Sequence, residues 1–512
     1  MNIDAPHPEY LKNQSKWSRC RDTIEGEDAV KAGTVAYLPR LGEQAADEYN
    51  AYKTRASFFN ATSRTLDSFV GMVFAQDPEV ECPSSLAPFL ADATLAGESF
   101  YDYQKHVLRE VVSVGRGGTL VEMSDEEQRP FAVFYRAEEI LNWDTVRVGG
   151  RTVLSKVVLK EVCQSHEVVQ HSPVDAQGGV AQVDHSSVTG PAKQTQNAGE
   201  PQKELQRIRV LKLVLNPDGD GGQYEVETWV KVDERTGFQL NDTVVPTRRK
   251  KPLPLIPFVF HGPNNSKPAV DKPPLVDIAD VNLSHYRTSA DLEHGRHWTG
   301  LPTPVITGIE KQPITFGSHT VITSSNPDTK AFFMEFQGAG LTALDKAIEQ
   351  KEHQMAVLGA RMLDTPKRAA EAADTMRMKQ TGEQASLSQV AYSLSESLKQ
   401  VLVWALFWWS AADTKLEDAA KAVEVELNAD FAPASMDAAT ITALVNACLQ
   451  GKLSTESLLT AFKRAEIIGG AKTVEDELAD IEAEGPPPPQ GDPLPLPTKK
   501  KGKKAAPETT EE

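Results

Sequence analysis

An α+β fold is predicted from three features of this 512-residue chain. Apolar residues recur at helical spacing between Glu43 and Gly118, alternating β-branched segments fill Arg129 to Val232, and helical spacing returns from Leu341 onward. Helix pattern and strand pattern therefore occupy separate stretches, as they do in α+β chains.

The first forty residues are punctuated by Gly and Pro up to YLPRLG (Tyr37 to Gly42), and residues 1–30 read as an N-terminal arm. From Glu43 to Gln76 the stripe Tyr49, Tyr52, Ala56, Phe59, Leu66, Phe69 or Val70, and Val73 predicts one long helix, stopped at Pro78 and Pro83. A second helix is expected over Glu98–Gly118, leaving through the glycines of GRGGTLVEM into a strand. Strands are expected at Arg129–Gly149, Arg151–Val162, Arg207–Leu215 and Gln223–Val232. Between the second and third lies Cys163–Gln206, a polar stretch that reads as a long insertion in a hairpin.

Next come a proline-bounded strand (PLPLIPFVFHGPNN), a polar helix (PPLVDIADVNLSHYRTSADLEHGRH, Pro273 to His297) and another strand (LPTPVITGIE). That helix is too hydrophilic for a core and is expected to bridge solvent or to pack in an assembly. The following helix carries Leu341, Leu344, Ile348, Met355, Leu358 and Met362 on one stripe, interrupted by Lys351 and ended by Pro366. After the polar break Asp364–Met376, a longer helix buries Leu387, Val390, Leu394, Leu398, Val401, Leu402, Ala405 and Trp409, with Trp404, Trp408 and Trp409 as core packing. In Ser435–Ile468, Gly451 ends one helix and Ser454 caps the next, and the Pro-rich, charged end of the chain reads as a disordered tail.

Composition excludes several classes. With 40% hydrophobic and 25% charged residues the chain is ordinary globular material, long enough for two to four packed units. Its longest apolar run, VLVWALFWW, is far short of the roughly 20 residues a bilayer span needs, and MNIDAPHPEY has no signal-peptide character. A soluble, unsecreted protein without a membrane partner is expected. Cys20, Cys82, Cys163 and Cys448 are widely scattered, which suits free thiols in a reducing compartment. The net charge of −18 disfavours tight wrapping of nucleic acid but suits a polymer that must pass without sticking.

No catalytic constellation emerges, and neither an enzyme nor a cofactor is expected. HEVVQH (His166 to His171) places its imidazoles five residues apart, on different sides of a helix, so they cannot share a metal. His294 and His297 could pair with Asp291 or Glu293, but no third ligand stands at a specific spacing, and no metal is expected. GGAKT (Gly469 to Thr473) lacks the glycine directly before lysine that a phosphate loop requires, and there is no G-x-S-x-G elbow. Lys499 to Lys504 reads as a solvated charge run.

The order of several degenerate motifs resembles the portal proteins of tailed bacteriophages, in particular the portal-like family DUF4055. The carriers are the helix ending in FVGMVFAQDPEV, the strand FAVFYRAEEILNW, the strand end PFVFHGPN, the Pro273–His297 helix and the helix MKQTGEQASLSQVAYSLSESL, within Thr34–Ile468. The insertion and the tail depart from the shared pattern. The resemblance implies a portal fold: a wing over residues 31–260 with its insertion at 163–206, a first stem helix at 273–297 and a clip at 301–340. A second stem helix at 341–363, a tunnel loop at 364–376, a returning wing helix at 377–430, a helical crown at 431–483 and the tail at 484–512 complete it.

It further implies a homo-oligomeric ring, usually of twelve subunits, at one capsid vertex of the virion, assembled in the host cytoplasm. Double-stranded DNA passes through it. Its partners are the terminase large subunit, the major capsid or scaffolding protein and a head-tail adaptor. In such a ring Asp277, Asp280, Asp291 and Glu293 are candidates to face the channel, and the tunnel loop mixes Lys367, Arg368 and Arg377 with Glu371 and Asp374. Lys367 and Arg368 are the candidate DNA-contacting pair, with ordinary loop charges satisfied by water as the equal alternative. A different virion component, such as a minor capsid protein or an adaptor, is the competing expectation, although adaptors are usually far shorter. An enzyme whose site residues show no spacing signal is the third.

Overall fold

The computed structural model describes residues 3–164, 204–216, 222–231, 235, 237–300, 303–308, 326–334, 339–359, 373–410, 414–429, 438–464 and 474–484. The chain forms one unit up to Phe431 and a second from Ala432. The motifs at 166–171 and 469–473, the lysine run at 499–504 and nearly all of the insertion lie outside the described residues.

The first unit is mixed helix and sheet, in accord with the expected α+β class. It opens with α1 (Pro8–Glu25), whose proline suits a first helical turn and whose cap is His7, Nδ1 accepting from Glu9 N at 3.2 Å. Residues 8–25 are not an arm: Tyr10, Trp17 and Cys20 lie in the main core. The stripe escaped notice because Asn13 and Thr23 take two of its places, each satisfied by a backbone carbonyl one turn back, Glu9 O and Arg19 O.

After α2 (Glu27–Ala32) come α3 (Ala46–Arg55) and α4 (Ala61–Val73), which replace the single helix expected over residues 43–76. The chain leaves the helix at Ala56, where ψ is 133°. One straight rod could not serve both of its destinations. Tyr49, Tyr52 and Phe58 form a cluster with Leu283 and Tyr286, whereas Leu66 and Val73 belong to the main core, and the break at 56–60 redirects the chain between them.

β1 (Glu79–Glu81) and the short α5 (Ala87–Ala91) lead to α6 (Phe100–Val114), capped by Ser99, whose Oγ accepts from Asp102 N at 3.1 Å. α6 ends as expected on Gly115 at φ 74°, a left-handed position that favours glycine. β2 (Gly117–Met123) and β3 (Pro130–Arg136) follow as a hairpin, and a 3-10 turn over Ala137–Glu139 separates β3 from β4 (Ile140–Val148). The strand expected over 129–149 is thus two strands in different sheets. Glu139 accepts from Arg136 N at 2.7 Å and closes the turn, while Glu138 is held by Arg21 at 2.6 Å.

β4, β5 (Arg151–Gln164), β6 (Glu204–Leu215), β7 (Gly222–Lys231) and β8 (Phe238–Val244) form an antiparallel meander in chain order. Its β5–β6 ladder extends to the pair Gln164 and Glu204, at the two ends of the insertion. β8 had no strand signal, since Gln239, Asn241 and Asp242 dilute its pattern. A tight pair, β9 (Thr247–Arg248) and β10 (Lys251–Pro252), precedes β11 (Phe258–His261), which joins β2 and β3 in a three-stranded antiparallel sheet ordered β11-β2-β3.

An ion network locks this sheet to the meander. Arg209 on β6 reaches Glu122 on β2 and, at 3.3 Å, Glu161 on β5; Glu161 also accepts from Arg207 at 2.6 Å and from Tyr135 Oη on β3 at 2.5 Å. Burial pushes the Glu161 carboxyl up, but Arg209 and Arg207 outweigh it and hold it below the usual carboxylate range.

α7 (Val276–Gly300) is followed by a separate two-stranded sheet, β12 (Thr303–Thr307) with β13 (Lys330–Met334), then by α8 (Ala339–Val357) and the long α9 (Ala373–Trp409). α10 (Leu416–Lys421) and β14 (Glu424–Glu426) close the unit, β14 returning to pair with β1. The second unit contains α11 (Ala438–Leu449), α12 (Thr455–Arg464) and α13 (Val474–Glu484). Gly451 at φ 69° and Ser454, whose Oγ accepts from Ser457 N at 3.1 Å, end and begin its helices as expected.

Replacing Arg209 by Met leaves the half-buried Glu122 carboxylate without its cation and Glu161 with Arg207 alone, and a loss of about 3 kcal/mol is expected. Denaturant unfolding measures it, and a loss below about 1 kcal/mol would show the network to be dispensable.

Candidate functional site

The block from α7 to α9 contains every site residue singled out from the sequence. α7 and α8 run antiparallel. Near one end Arg296 reaches Asp345 at 2.9 Å, and towards the other Lys351 bonds Ser284 O at 3.0 Å beside Glu352, which lies 3.5 Å from His285. Gly295 permits the close approach, since a Cβ there would stand 2.6 Å from Leu341 Cδ2.

α7 is not the solvent-bridging helix its composition suggested. It buries Ile278, Leu283, Tyr286, Ala290 and Leu292, and among them Asn282, His285, Thr288 and Ser289. The polar buried positions are what depressed its apparent hydrophobicity. Some are satisfied within the chain: Ser289 Oγ meets Ser57 Oγ at 2.9 Å, and Thr288 Oγ1 takes a bond from Lys351. Others are not. Asn282 is fully buried, and neither its side-chain oxygen nor its nitrogen has a hydrogen-bond partner among the described residues. Burial pulls the His285 imidazolium down, Glu352 pulls it up, and the net shift is downward.

The four acidic candidates on α7 all have partners inside the same chain. Asp277 is bound by Lys272 at 2.6 Å and Asp280 by Arg19 at 2.7 Å. Asp291 Oδ1 accepts from Tyr52 Oη at 2.5 Å, and Glu293 pairs with Arg296 at 2.8 Å. Asp277 and Asp280 remain exposed despite these pairs. Lys367, Arg368 and Glu371 lie outside the described residues; Asp374 and Arg377 fall in the first turns of α9, with no side chain described. Sequence reasoning treated Lys351 only as an interruption. It is a seam residue, and its position on an apolar stripe was the available signal.

α9 is bolted to the three-stranded sheet between Ser393 and Trp408. Tyr103 Oη meets Thr119 Oγ1 at 2.6 Å, Thr119 meets His261 Nε2 at 2.6 Å, and His261 Nδ1 meets Ser397 Oγ at 2.8 Å. Ser393 Oγ donates to Gly262 O at 2.7 Å and Trp408 Nε1 to Val121 O at 2.9 Å. The Ser397–His261 pair resembles part of a hydrolase triad, but both residues are buried and, among the described residues, no carboxylate completes the pair. The expected tryptophan packing holds for Trp404 and Trp408.

A groove of about 310 Å³ between α3 and the end of α7 is lined by Glu48, Arg55, His294, His297 and Trp298 among others. Its lining contains no Ser, Thr, Cys or Lys that could act as a nucleophile. His294 Nε2 is already used, accepting from Trp298 Nε1 at 3.0 Å. Among the described residues no group of three His, Cys, Asp or Glu is placed to hold a metal ion, and no helix is long and apolar enough to cross a membrane.

Two measurements test this description. Asn282→Leu exchanges an unpartnered buried amide for an apolar group of similar volume, so the variant should be about 1 kcal/mol more stable in denaturant unfolding; a comparable loss would mean the amide is satisfied. Burial holds the His261 imidazole at about 3, against 6.5 for an ordinary histidine, so between those values only the unfolded chain takes up the proton. This contribution is complete above pH 6.5 and is withdrawn as the pH falls towards 3. In thermal melts across that window, His261→Gln should lose less stability with acid than the parent; parallel curves would contradict it.

No curated protein matches the chain. Solved structures with some likeness include "Virion of native gene transfer agent (GTA) particle", at 11% identity and a TM-score of 0.35, covering 83% of this chain and 95% of that one. Two others are "Neck of empty GTA particle computed with C6 symmetry", with 11% identity, a TM-score of 0.37 and the same coverage, and "Neck of native GTA particle computed with C12 symmetry". The last has 11% identity and a TM-score of 0.31, covering 84% of this chain and 97% of that one. The sequence match is more local and falls on the block just described: residues 274–409, from the threshold of α7 to the last residue of α9, match the family described as Domain of unknown function (DUF4055).

Proposed function

We propose that this protein is a portal-type component of a tailed-phage particle, a ring at one capsid vertex through which DNA is packaged and ejected. The observation that carries the reading is the coincidence of the DUF4055 match with one continuous structural block: two antiparallel helices, the small sheet between them in sequence, and a helix of 37 residues bolted to the sheet behind. In this reading α7 and α8 are the stem, residues 301–340 the clip, 364–376 the tunnel loop and 431–483 the crown. The wing is formed by residues 31–260 and the returning helix.

Physical features of the chain favour an assembled state. A two-stranded sheet by itself is marginal in water, and Phe332 of β13 is 54% exposed and Trp298 at the end of α7 is 50% exposed. Neighbouring copies would cover such surfaces. The net charge of −18 suits a conduit that DNA traverses without adhering. Terminase, capsid or scaffolding protein and a head-tail adaptor are the partners this role requires.

Native mass and negative-stain images of the purified chain should show closed rings with a central hole. A stable monomer under assembly conditions would remove the proposal, and a small complex without a channel would favour another virion component. Changing Lys367 and Arg368 together to Glu should impair DNA packaging or retention while leaving rings intact; unchanged packaging would remove those two residues from the mechanism.

A further inference from the structure

The turn between β9 and β10 is unusual in its residues. Two-residue hairpin turns of this kind place both central residues in the left-handed region, where Asn-Gly or Asp-Gly is the easy choice. Here Arg249 stands at φ 50° and Lys250 at φ 66°. Arg249, Lys250 and Lys251 are all exposed, so the turn presents three consecutive cations on a strained backbone.

The base of the turn is anchored through Arg248. Arg248 is buried, its guanidinium 3.7 Å from the centre of the Phe407 ring, and it donates to Phe407 O at 2.8 Å and Thr414 O at 3.0 Å. Arg249 has a long contact to Trp409 O, at 3.4 Å, and Lys250 has no hydrogen bond or ion pair among the described residues. Arg248 thus anchors the turn, and among the described residues neither Arg249 nor Lys250 is paired with a carboxylate.

Complementary charge stands elsewhere in the same unit. In the β1–β14 ladder Glu79 lies directly opposite Glu426 and Glu81 opposite Glu424, and all four are exposed. Like charges facing each other across a ladder repel, and among the described residues the relief comes from Lys399, 2.6 Å from Glu424. Both features are fixed to α9, the ladder near Lys399 and the turn near Trp409, about 15 Å apart along the helix. Two opposite patches at different places on one rigid element are what a head-to-tail contact between identical copies needs.

We propose that the Arg249–Lys251 turn of one copy docks on the Glu79, Glu81, Glu424 and Glu426 ladder of the next, a contact that rests on the ring-forming reading above. Exposed ion pairs contribute chiefly to association rate and register, so the contact guides closure of the ring and weakens with salt.

Charge exchange tests it, with assembly followed by sedimentation and electron microscopy and folding by circular dichroism. R249E/K250E and E79K/E426K should each fold but need about tenfold more protein to assemble, and the chain carrying all four changes should regain the parent's behaviour. R249N/K250G, which relaxes the backbone and removes the charge, should also fold and assemble poorly. Parent rings with unaffected variants, or a quadruple variant that is not rescued, would overturn the docking while leaving the ring intact. Rings of R249E/K250E that form normally but retain less DNA would overturn it in favour of phosphate as the turn's partner. A parent chain that forms no ring would instead defeat the functional reading itself.

Discussion

The run of hydrogen bonds from Tyr103 through Thr119 and His261 to Ser397 is the interaction on which the remaining architecture depends. It crosses from α6 through β2 and β11 to α9, so one polar thread fixes two helices on the same small sheet. Such a thread is stable only when every member has its partner, because a hydroxyl or imidazole buried alone is costly. The glycines of β2 make room beside it for two rings: a Cβ at Gly118 would strike the Phe258 ring at 2.3 Å, and one at Gly117 the Phe134 ring at 2.8 Å. With α9 located by this thread and by Trp408, the ion network around Arg209 can dock the meander onto β2 and β3 of the same sheet.

The junction of α7 with α8 obeys a different rule. It is a seam of small and polar side chains, with Lys351 reaching into α7 and Asn282 left without a partner among the described residues. Apolar packing alone would hold the pair more tightly. A polar seam instead restricts the register in which the two helices can meet, since a displacement of one turn would strand Lys351 and separate His285 from Glu352. Firm attachment of α9 and a register-selecting contact at α7 therefore coexist within the matched block.

Much of this fold was legible in the sequence. The strands at 151–162, 207–215 and 223–232, the glycine exit after α6, the serine cap of α12 and the buried stripe of α9 follow from period and cap chemistry, which are local. Failures occurred where a distant partner decided the outcome. The break at 56–60 exists because Tyr52 and Leu66 serve different clusters, and the turn at 137–139 because Glu138 answers Arg21. α7 was misjudged for the same reason: several of its polar residues find acceptors and donors on α8 and on the stretch from α3 to Ser57, which no window of one helix reveals. For the candidate site, the acidic positions on α7 could be named from the sequence, but their partners Lys272, Arg19, Tyr52 and Arg296 could not, because three of the four come from outside α7.

The meander carries one more consequence. Gln164 and Glu204 are directly paired, so residues 165–203 depart from and return to points separated by a single strand spacing. The entropy of closing such an excursion rises only with the logarithm of its length. Lengthening what is spliced between those two residues therefore costs the sheet little. The β5–β6 tip is a natural socket, where evolution or an engineer can exchange a whole appendage without renegotiating the fold beneath it.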